Sequence, residues 1–345
     1  MPETTPRTDA AAPTLDEVAA AAGVSRSTAS RALNGGLRVS PAAQAAVDDA
    51  ALRLGYVPNR AARSLVTRRT DSIALIIPEP DERLLSDAFI GGTLRGVGDA
   101  LARTDLQLVL LLSRKNETAD RIARYLRGGH VDGAVITSHH EGDELERVVA
   151  ASSIPAVFVG RPFDAPRELI YTDVDNVAGA RLAVEHLVAR GRTRIAHIAG
   201  PQDMTAGVDR VKGWRDALSD HGLPADALVH AQFTTASGET AAAELLAAHP
   251  DVDGIFAASD TIAVGALRAL AAAGRSIPGD VAIVGYDDLD AAQASTPPLT
   301  TLHNPVVELA ATAVEQLLRL IDSEPGDERV TSIVFPPRLV IRGTT

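Results

Sequence analysis

The sequence predicts a small all-α module followed by an α/β body made of two doubly wound parallel-sheet lobes. Three observations carry this reading. Short helical patterns with small packing residues occupy positions 14–58. From Asp71 onward, continuous apolar runs suited to buried parallel strands alternate with helical patterns. The charge divides along the same line: residues 1–69 carry nine arginines against six acids, whereas the remainder of a chain of net charge −12 is net −15. A basic module on an acidic body suggests contact with a polyanion at one end only; a solvated basic tail would give the same split.

Length and composition bound the class. With 345 residues, 46% of them hydrophobic, the chain suits two or three globular domains with a sizeable core. No apolar run reaches the roughly 18–20 residues that a membrane helix needs. The opening stretch "MPETTPRTDAAAPT" lacks the apolar centre of a secretory leader, so residues 1–13 are expected to be a disordered tail. The chain has no cysteine, which excludes disulfides and thiolate metal sites and suits a reducing cytoplasm.

The module begins with "TLDEVAAAAGVSRSTASRALNG". Thr14 with Glu17 three residues later is a capping box, and Leu15, Val18, Ala19 and Ala22 recur at helical spacing. Gly23 stops this helix, Val24 plugs the turn and Ser25 can cap a second helix that ends before Asn34-Gly35-Gly36. Ala29, Ala32 and Leu33 share one face of it, while Arg26, Ser27, Ser30 and Arg31 lie towards the other. Ala19, Gly23 and Ala29 have the spacing of a helix-turn-helix, whose second helix enters the major groove by its N-terminal end. Small hydroxyls let such a helix approach DNA, and arginine can fork onto guanine. An Ala-rich surface hairpin is the alternative for this segment alone.

A third helix follows in "VSPAAQAAVDDAALRLGY", with Ser40 as cap, Pro41 in the first turn and Gly55 at the end. Ala43, Ala46, Val47, Ala50 and Leu54 would complete a three-helix core. Next comes "YVPNRAARSLVTRRT", a linker over 59–70 with one or two helical turns, too short to be stable alone. Its arginines and Leu65 suit a helix that orders on DNA and wedges the minor groove.

These segments, together with "VGYDD" and "PPLTTL" further on, resemble the LacI/GalR family of bacterial repressors over nearly the whole chain, Thr14 to Arg342. The resemblance implies a helix-turn-helix DNA-binding domain (14–58), a hinge (59–70) and a body (71–345) of the periplasmic-binding-protein type I fold. It implies lobes of 71–174 with 305–332 and 175–304 with 333–345. On this reading Arg26 and Ser27 read bases, Ser25, Thr28 and Arg31 set phosphates and register, and Ser30 and Asn34 also belong to the DNA-binding surface. Asn59, Arg60, Ala62, Arg63, Leu65 and Arg68 would serve the paired hinge, with Leu65 prying open a base step.

In the body, strands are expected at 72–77, 106–112, 131–137, 155–160, 194–200, 227–233, 254–259 and 281–286, four per lobe. Ligands of such sheets sit beyond the carboxyl ends of the strands. Polar residues cluster there: Thr137 and Ser138, Arg161, Asp203 and Arg210, Ser259 and Asp260, Asp287 and Asp288. Phe89 could stack on a sugar ring. The resemblance assigns Arg210 to sugar hydroxyls, Asp287 to the acidic ligand residue, Phe89 to the aromatic, and Asn304, Thr137 and Val174 to the pocket wall. Ser259 stands where the family often has Asn, and "PEPDERLLSD" is longer than usual at the pocket mouth. Several residues also have ordinary structural readings: Asp260 as a helix cap, Asp288 as a cap or solvated acid, Arg161 paired with Asp164, Trp214 as packing. "DVDN" at 173–176 opens a helix, and His139-His140 is a loop pair; neither pattern is expected to bind a metal.

No GxGxxG follows a strand, and neither a phosphate-binding loop nor a nucleophile or metal motif stands out, so an enzyme is not expected and no cofactor is implied. The expected function is a sequence-specific DNA-binding regulator, a repressor whose affinity for a palindromic operator changes when a sugar binds between the lobes. Alternatives are a sugar-binding protein without a DNA role, a regulator answering to a nucleoside or phosphorylated sugar as corepressor, and a scaffold without effector. "PPRLVIRGTT" at the end carries no leucine heptads, so a homodimer is expected.

Overall fold

The computed structural model describes residues 13–33, 39–57, 69–79, 87–112, 118–142, 144–163, 169–324 and 326–345. They fall into two compact units, residues 1–70 and 71–345. No helix among the described residues is long and apolar enough to cross a membrane.

The first unit has three helices, α1 (Leu15–Ala22), α2 (Arg26–Leu33) and α3 (Pro41–Leu54). The capping box forms: the Glu17 N–H donates to Thr14 Oγ1 at 3.3 Å, and the Thr14 N–H donates to Glu17 Oε2 at 2.7 Å. Gly23 takes φ +64°, a left-handed conformation that glycine adopts without a Cβ penalty, and closes α1 onto the carbonyls of Ala19 and Ala20. Ser25 Oγ accepts the Thr28 N–H at 3.1 Å and so caps α2. Val18, Ala19, Ala29, Ala32, Val47, Ala50 and Ala51 form the buried centre. Three expected core residues differ. Ala43 and Ala46 are only half-buried, and Leu54 is 40% exposed. The chain turns back at Gly55, the Tyr56 N–H bonds to Ala51 O, and Tyr56 packs where Leu54 was expected.

The second unit contains two six-stranded sheets. The first lobe holds β1 (Ser72–Ile77), α4 (Ala88–Leu101), β2 (Gln107–Leu112), α5 (Thr118–Arg127), β3 (Gly133–Thr137), α6 (Leu145–Ala150), β4 (Ala156–Val159) and β5 (Ile170–Val174). The second holds α7 (Asn176–Ala189), β6 (Ile195–Ala199), α8 (Thr205–Asp220), β7 (Leu228–His230), α9 (Thr235–Ala248), β8 (Gly254–Ala257), α10 (Asp260–Ala272), β9 (Ala282–Asp287), α11 (Asp290–Ala294) and β10 (Thr300–His303). The chain then returns through α12 (Val306–Asp322) and β11 (Ile333–Phe335) to the first lobe and ends with β12 (Arg338–Val340) in the second. Strand orders are β11-β5-β4-β3-β1-β2 and β12-β10-β9-β8-β6-β7. Every pairing is parallel except β10 with β12.

All eight expected strands form, and β5, β10, β11 and β12 add to them. All four are short; β5, β10 and β12 carry Asp, Thr, His or Arg in place of the apolar run that marks a buried parallel strand, and β11, although apolar, has only three residues. The last crossing falls later than expected. Residues 333–335 belong to the first lobe, because β11 pairs with β5 and Phe335 packs into that lobe's core. Trp214 is fully buried and donates Nε1–H to Ile195 O at 3.3 Å, a packing role.

Both lobes contain closely packed helix pairs. A Cβ on Gly96 of α4 would lie 2.2 Å from Val307 O at the start of α12, and one on Gly213 of α8 would lie 2.3 Å from Val177 O in α7. Neither backbone oxygen can move aside without shifting its helix. Gly213→Ala should therefore cost about 1–3 kcal/mol of body stability. Thermal melts should show a lower transition for the body, and an unchanged transition would mean the helices separate freely.

Candidate functional site

The first unit presents α2 outward. Ser25, Arg26, Ser27 and Arg31 are exposed, and Thr28 and Ser30 are half-buried. Their packing neighbours, Ala29 and Ala32, face inward. Ser25 Oγ lies 2.9 Å from Ser27 Oγ and 2.8 Å from Thr28 Oγ1, so the hydroxyls form a cluster at the start of the helix. Arg26 Nε is 3.3 Å from Asp16 Oδ1 on α1, with both side chains about two-thirds or more exposed. Such a solvated pair holds its arginine weakly. Arg31 Nε donates to Ser27 O at 3.1 Å. Asn34, Asn59, Arg60, Ala62, Arg63, Leu65 and Arg68 lie outside the described residues.

In the second unit, adjoining cavities of about 470 and 480 Å³ open between the lobes at the strand ends. Both are lined by Phe89, Ser138, Met204, Ala206 and Arg210. β1 lies between β2 and β3, and β6 between β7 and β8, so strand order reverses beside each of these strands. Such reversals leave crevices for ligands in open α/β sheets.

Arg210 organises the wall. It is 4% exposed, and its Nε donates to Asn176 Oδ1 at 2.9 Å. Nη1 bonds to Ala258 O, and Nη2 lies 3.5 Å from Asp287 Oδ1. The guanidinium carbon sits 3.6 Å from the centroid of the Tyr286 ring. Asp287 ends β9 at φ +105° and accepts from Asn304 Nδ2 at 3.1 Å. Burial raises the Asp287 pKa, against the pull of Arg210. Asn304 Oδ1 is buried without a hydrogen-bond partner, in a residue that lines the cavity.

Asp173 and Asn176 also line this wall, and the sequence reading passed over their ligand chemistry because "DVDN" looked like a helix start. That reading suits Asp175, which caps α7 by accepting the Ala178 N–H at 2.9 Å. Asp173 instead accepts from the backbone N–H groups of Arg161 and Val174 and from Asn176 Nδ2, at 2.8–3.2 Å. Burial pushes its carboxyl up to about 6. His139 lines the cavity as well, and burial lowers it to about 4. Phe233 is a further omission. It ends the expected strand 227–233, so the strand-end rule that marked the other residues would have found it.

Phe89, Ser138, Val174, Arg210, Ser259, Asp287 and Asn304 all line the cavities as expected. Two expected residues do not. Arg161 Nη2 donates to both oxygens of Asp209 at 2.8 and 2.7 Å, which draws its guanidinium away from the cavity wall. Thr137 is fully buried in the last position of β3 and is absent from the wall. Ser259, not Asp260, caps α10, accepting the Ile262 N–H at 3.1 Å. Asp260 accepts from Thr301 Oγ1 at 2.5 Å and the Leu289 N–H at 2.7 Å, and burial raises its pKa well above the ordinary value. Asp288 is neither cap nor solvated acid: it bonds Arg342 at 2.6 Å and faces His303 at 3.0 Å.

Residues 14–59 match the family described as bacterial regulatory proteins, lacI family, and residues 184–345 match a periplasmic binding protein-like domain. The chain is 47% identical over 334 residues to the HTH-type transcriptional regulator CelR of Thermobifida fusca, covering 96% of this chain and 97% of that one. A solved complex of a transcriptional regulator CelR with cellobiose superimposes with a TM-score of 0.76 at 41% identity, over 96% of this chain and all 100% of the other. The lac repressor dimer bound to operator and the anti-inducer ONPF gives 0.83 at 26% identity, over 96% and 98%.

The Asp173 carboxyl has a pH signature. Between its ordinary value of 3.8 and about 6 the folded protein holds a proton that the unfolded chain has released. This contribution is fully present below the lower value and is lost as pH rises through the upper one. Asp260 and Asp287 act in the same sense. Denaturant titrations of wild type and Asp173→Asn should diverge by about 2–3 kcal/mol between pH 4 and 7, with wild type losing more on the way up. Parallel profiles would mean that Asp173 titrates normally.

Proposed function

This chain belongs to the LacI family of bacterial regulatory proteins, and from that premise we propose that it is a cytoplasmic repressor released from its operator by a neutral disaccharide of the cellobiose type. The observation that carries the effector class is the charge of the cavity wall. Among the described residues, it holds the carboxyls of Asp87, Asp173 and Asp287 against the guanidinium of Arg210. A phosphorylated sugar or a nucleotide would meet net negative charge there. Arg161, the other arginine expected at the strand ends, is held by Asp209. Sugar hydroxyls suit the same wall, because they donate to carboxylates and accept from the arginine fork.

Two of the chain's six phenylalanines, Phe89 and Phe233, line the cavity from different lobes. Each offers an apolar face for a pyranose ring. The two cavities adjoin along Phe89, Ser138, Met204, Ala206 and Arg210, a continuous wall that suits a ligand of more than one ring. The relative solved with cellobiose supports a β-linked glucose disaccharide.

On the DNA side, Arg26 and Ser27 read base edges from the start of α2, while Ser25, Thr28, Ser30 and Arg31 hold phosphates and register. Asn34 and the hinge residues Asn59, Arg60, Ala62, Arg63, Leu65 and Arg68 complete this surface in the proposal. A homodimer places two such helices on a palindromic site. The protein works by binding, not by catalysis, and its ligand changes operator affinity through its preference for one arrangement of the lobes.

Fluorescence anisotropy with DNA from upstream of its own gene tests this directly. Cellobiose should weaken operator affinity at least tenfold, about 1.4 kcal/mol. Failure of the intact chain to prefer any site over random DNA would sink the repressor reading; tighter binding with cellobiose would reverse the sign. Arg26→Ala should cost about 1–3 kcal/mol on the specific site and relax base preference at one position. Arg210→Lys keeps the charge that Asp287 requires but loses the planar fork. It should lower cellobiose affinity more than tenfold by calorimetry while operator binding without ligand persists.

A further inference from the structure

Besides the three chain crossings, the two lobes are joined by a set of polar contacts around the first turn of α8. Arg161, just after β4, donates to both carboxylate oxygens of Asp209 in α8. The backbone oxygen of the same Arg161 accepts from Thr205 Oγ1 at 2.6 Å. The Glu141 N–H, in the loop after β3, donates to Asp203 O at 2.7 Å. His140 Nδ1 lies 3.0 Å from Asp203 Oδ2, and its Nε2 lies 3.0 Å from Glu79 of its own lobe. Every one of these contacts to Asp203, Thr205 or Asp209 spans the cleft.

We propose that these groups form a clasp that exists only when the lobes are closed, and that its main element, the Arg161–Asp209 pair, which lines neither cavity, sets effector affinity from outside the effector's contact surface. The inference rests on the body being the ligand-responsive part of the regulator. Asp209 and Arg210 are adjacent on α8, so one turn of helix carries both the clasp and the cavity's guanidinium. Closing the lobes brings them into place together. The Arg161 and Asp209 side chains are 35% and 18% exposed, so the pair is largely shielded and its geometry is two-pronged. The Arg161 N–H also donates to Asp173 on the cavity wall at 3.1 Å, which fixes the backbone from which the clasp reaches. A ligand that binds the closed arrangement has an apparent affinity scaled by the closed fraction. The Arg161–Asp209 pair raises that fraction without touching the ligand.

The absence of cysteine from the chain makes the test clean. Arg127→Cys on α5 and Ala243→Cys on α9 place spin labels at exposed positions on different lobes of the full-length protein. Distance distributions by electron double resonance then report closure. Asp209→Asn should shift the unliganded population towards longer distances and weaken cellobiose binding about tenfold. The charge exchange Arg161→Asp with Asp209→Arg should recover part of both effects. Unchanged distances and affinity in Asp209→Asn would overturn the clasp. So would a loss in both variants that follows a lowered melting temperature, which would mark a purely structural pair. The unliganded distances keep the clasp testable on their own: failure of wild type to bind cellobiose would remove the proposed effector, and a shift in Asp209→Asn would still support the clasp.

Discussion

One buried cation sets the architecture of the cleft. Arg210 is almost fully removed from water, and an unpaired charge in that position would cost several kcal/mol. Its compensation comes from three places in the fold: Asn176 at the start of α7, the carbonyl of Ala258 after β8, and the end of β9, where Tyr286 offers its ring face and Asp287 its carboxyl. These segments are far apart in sequence, and the guanidinium holds them at fixed geometry. The left-handed backbone at Asp287 is sustained by the same demand, since its carboxyl must reach Arg210 and Asn304. Hydrogen bonds among its own groups hold this polar wall in place, so a ligand meets little further ordering cost.

The DNA-facing unit solves a different problem. Its core is built from valine and alanine, because small side chains let α2 cross close to α1 while its other face stays free. In the body, Arg161 pairs with Asp209 and Arg342 with Asp288, and both cations are less exposed than those of α2. On α2, Arg26 and Arg31 are exposed, and their partners hold them loosely. Phosphate competes with such partners easily, which is the electrostatic condition for binding a polyanion with an acidic protein.

Affinity and response are thus distributed over two kinds of group. Asp173, Arg210 and Asp287 line the cavity, whereas Arg161 meets Asp209, and Glu141 and His140 meet Asp203, across the cleft. A ligand shifts the lobes only through its preference for the closed arrangement. Groups that stabilise closure therefore tune sensitivity without altering which sugar is chosen.

Much of this was legible in the residues themselves. Capping boxes, αL glycines and helical spacing are local properties, so Thr14, Gly23, Ser40 and Gly55 fixed the helix limits of the first unit. Apolar runs located eight strands, and the strand-end rule placed Phe89, Ser138, Arg210 and Asp287 at the cavity. The polar strands β5 and β10 escaped because their burial comes from neighbours, not from their own composition. The partner of Arg161 was equally hidden: a nearby acid in sequence, Asp164, competed with Asp209, 48 residues away. Sequence by itself determined the two units, their chemistry and the family, because these depend on local pattern. Tertiary structure alone decided which charges face the ligand and which face each other, because that choice depends on how the lobes bring distant strand ends together.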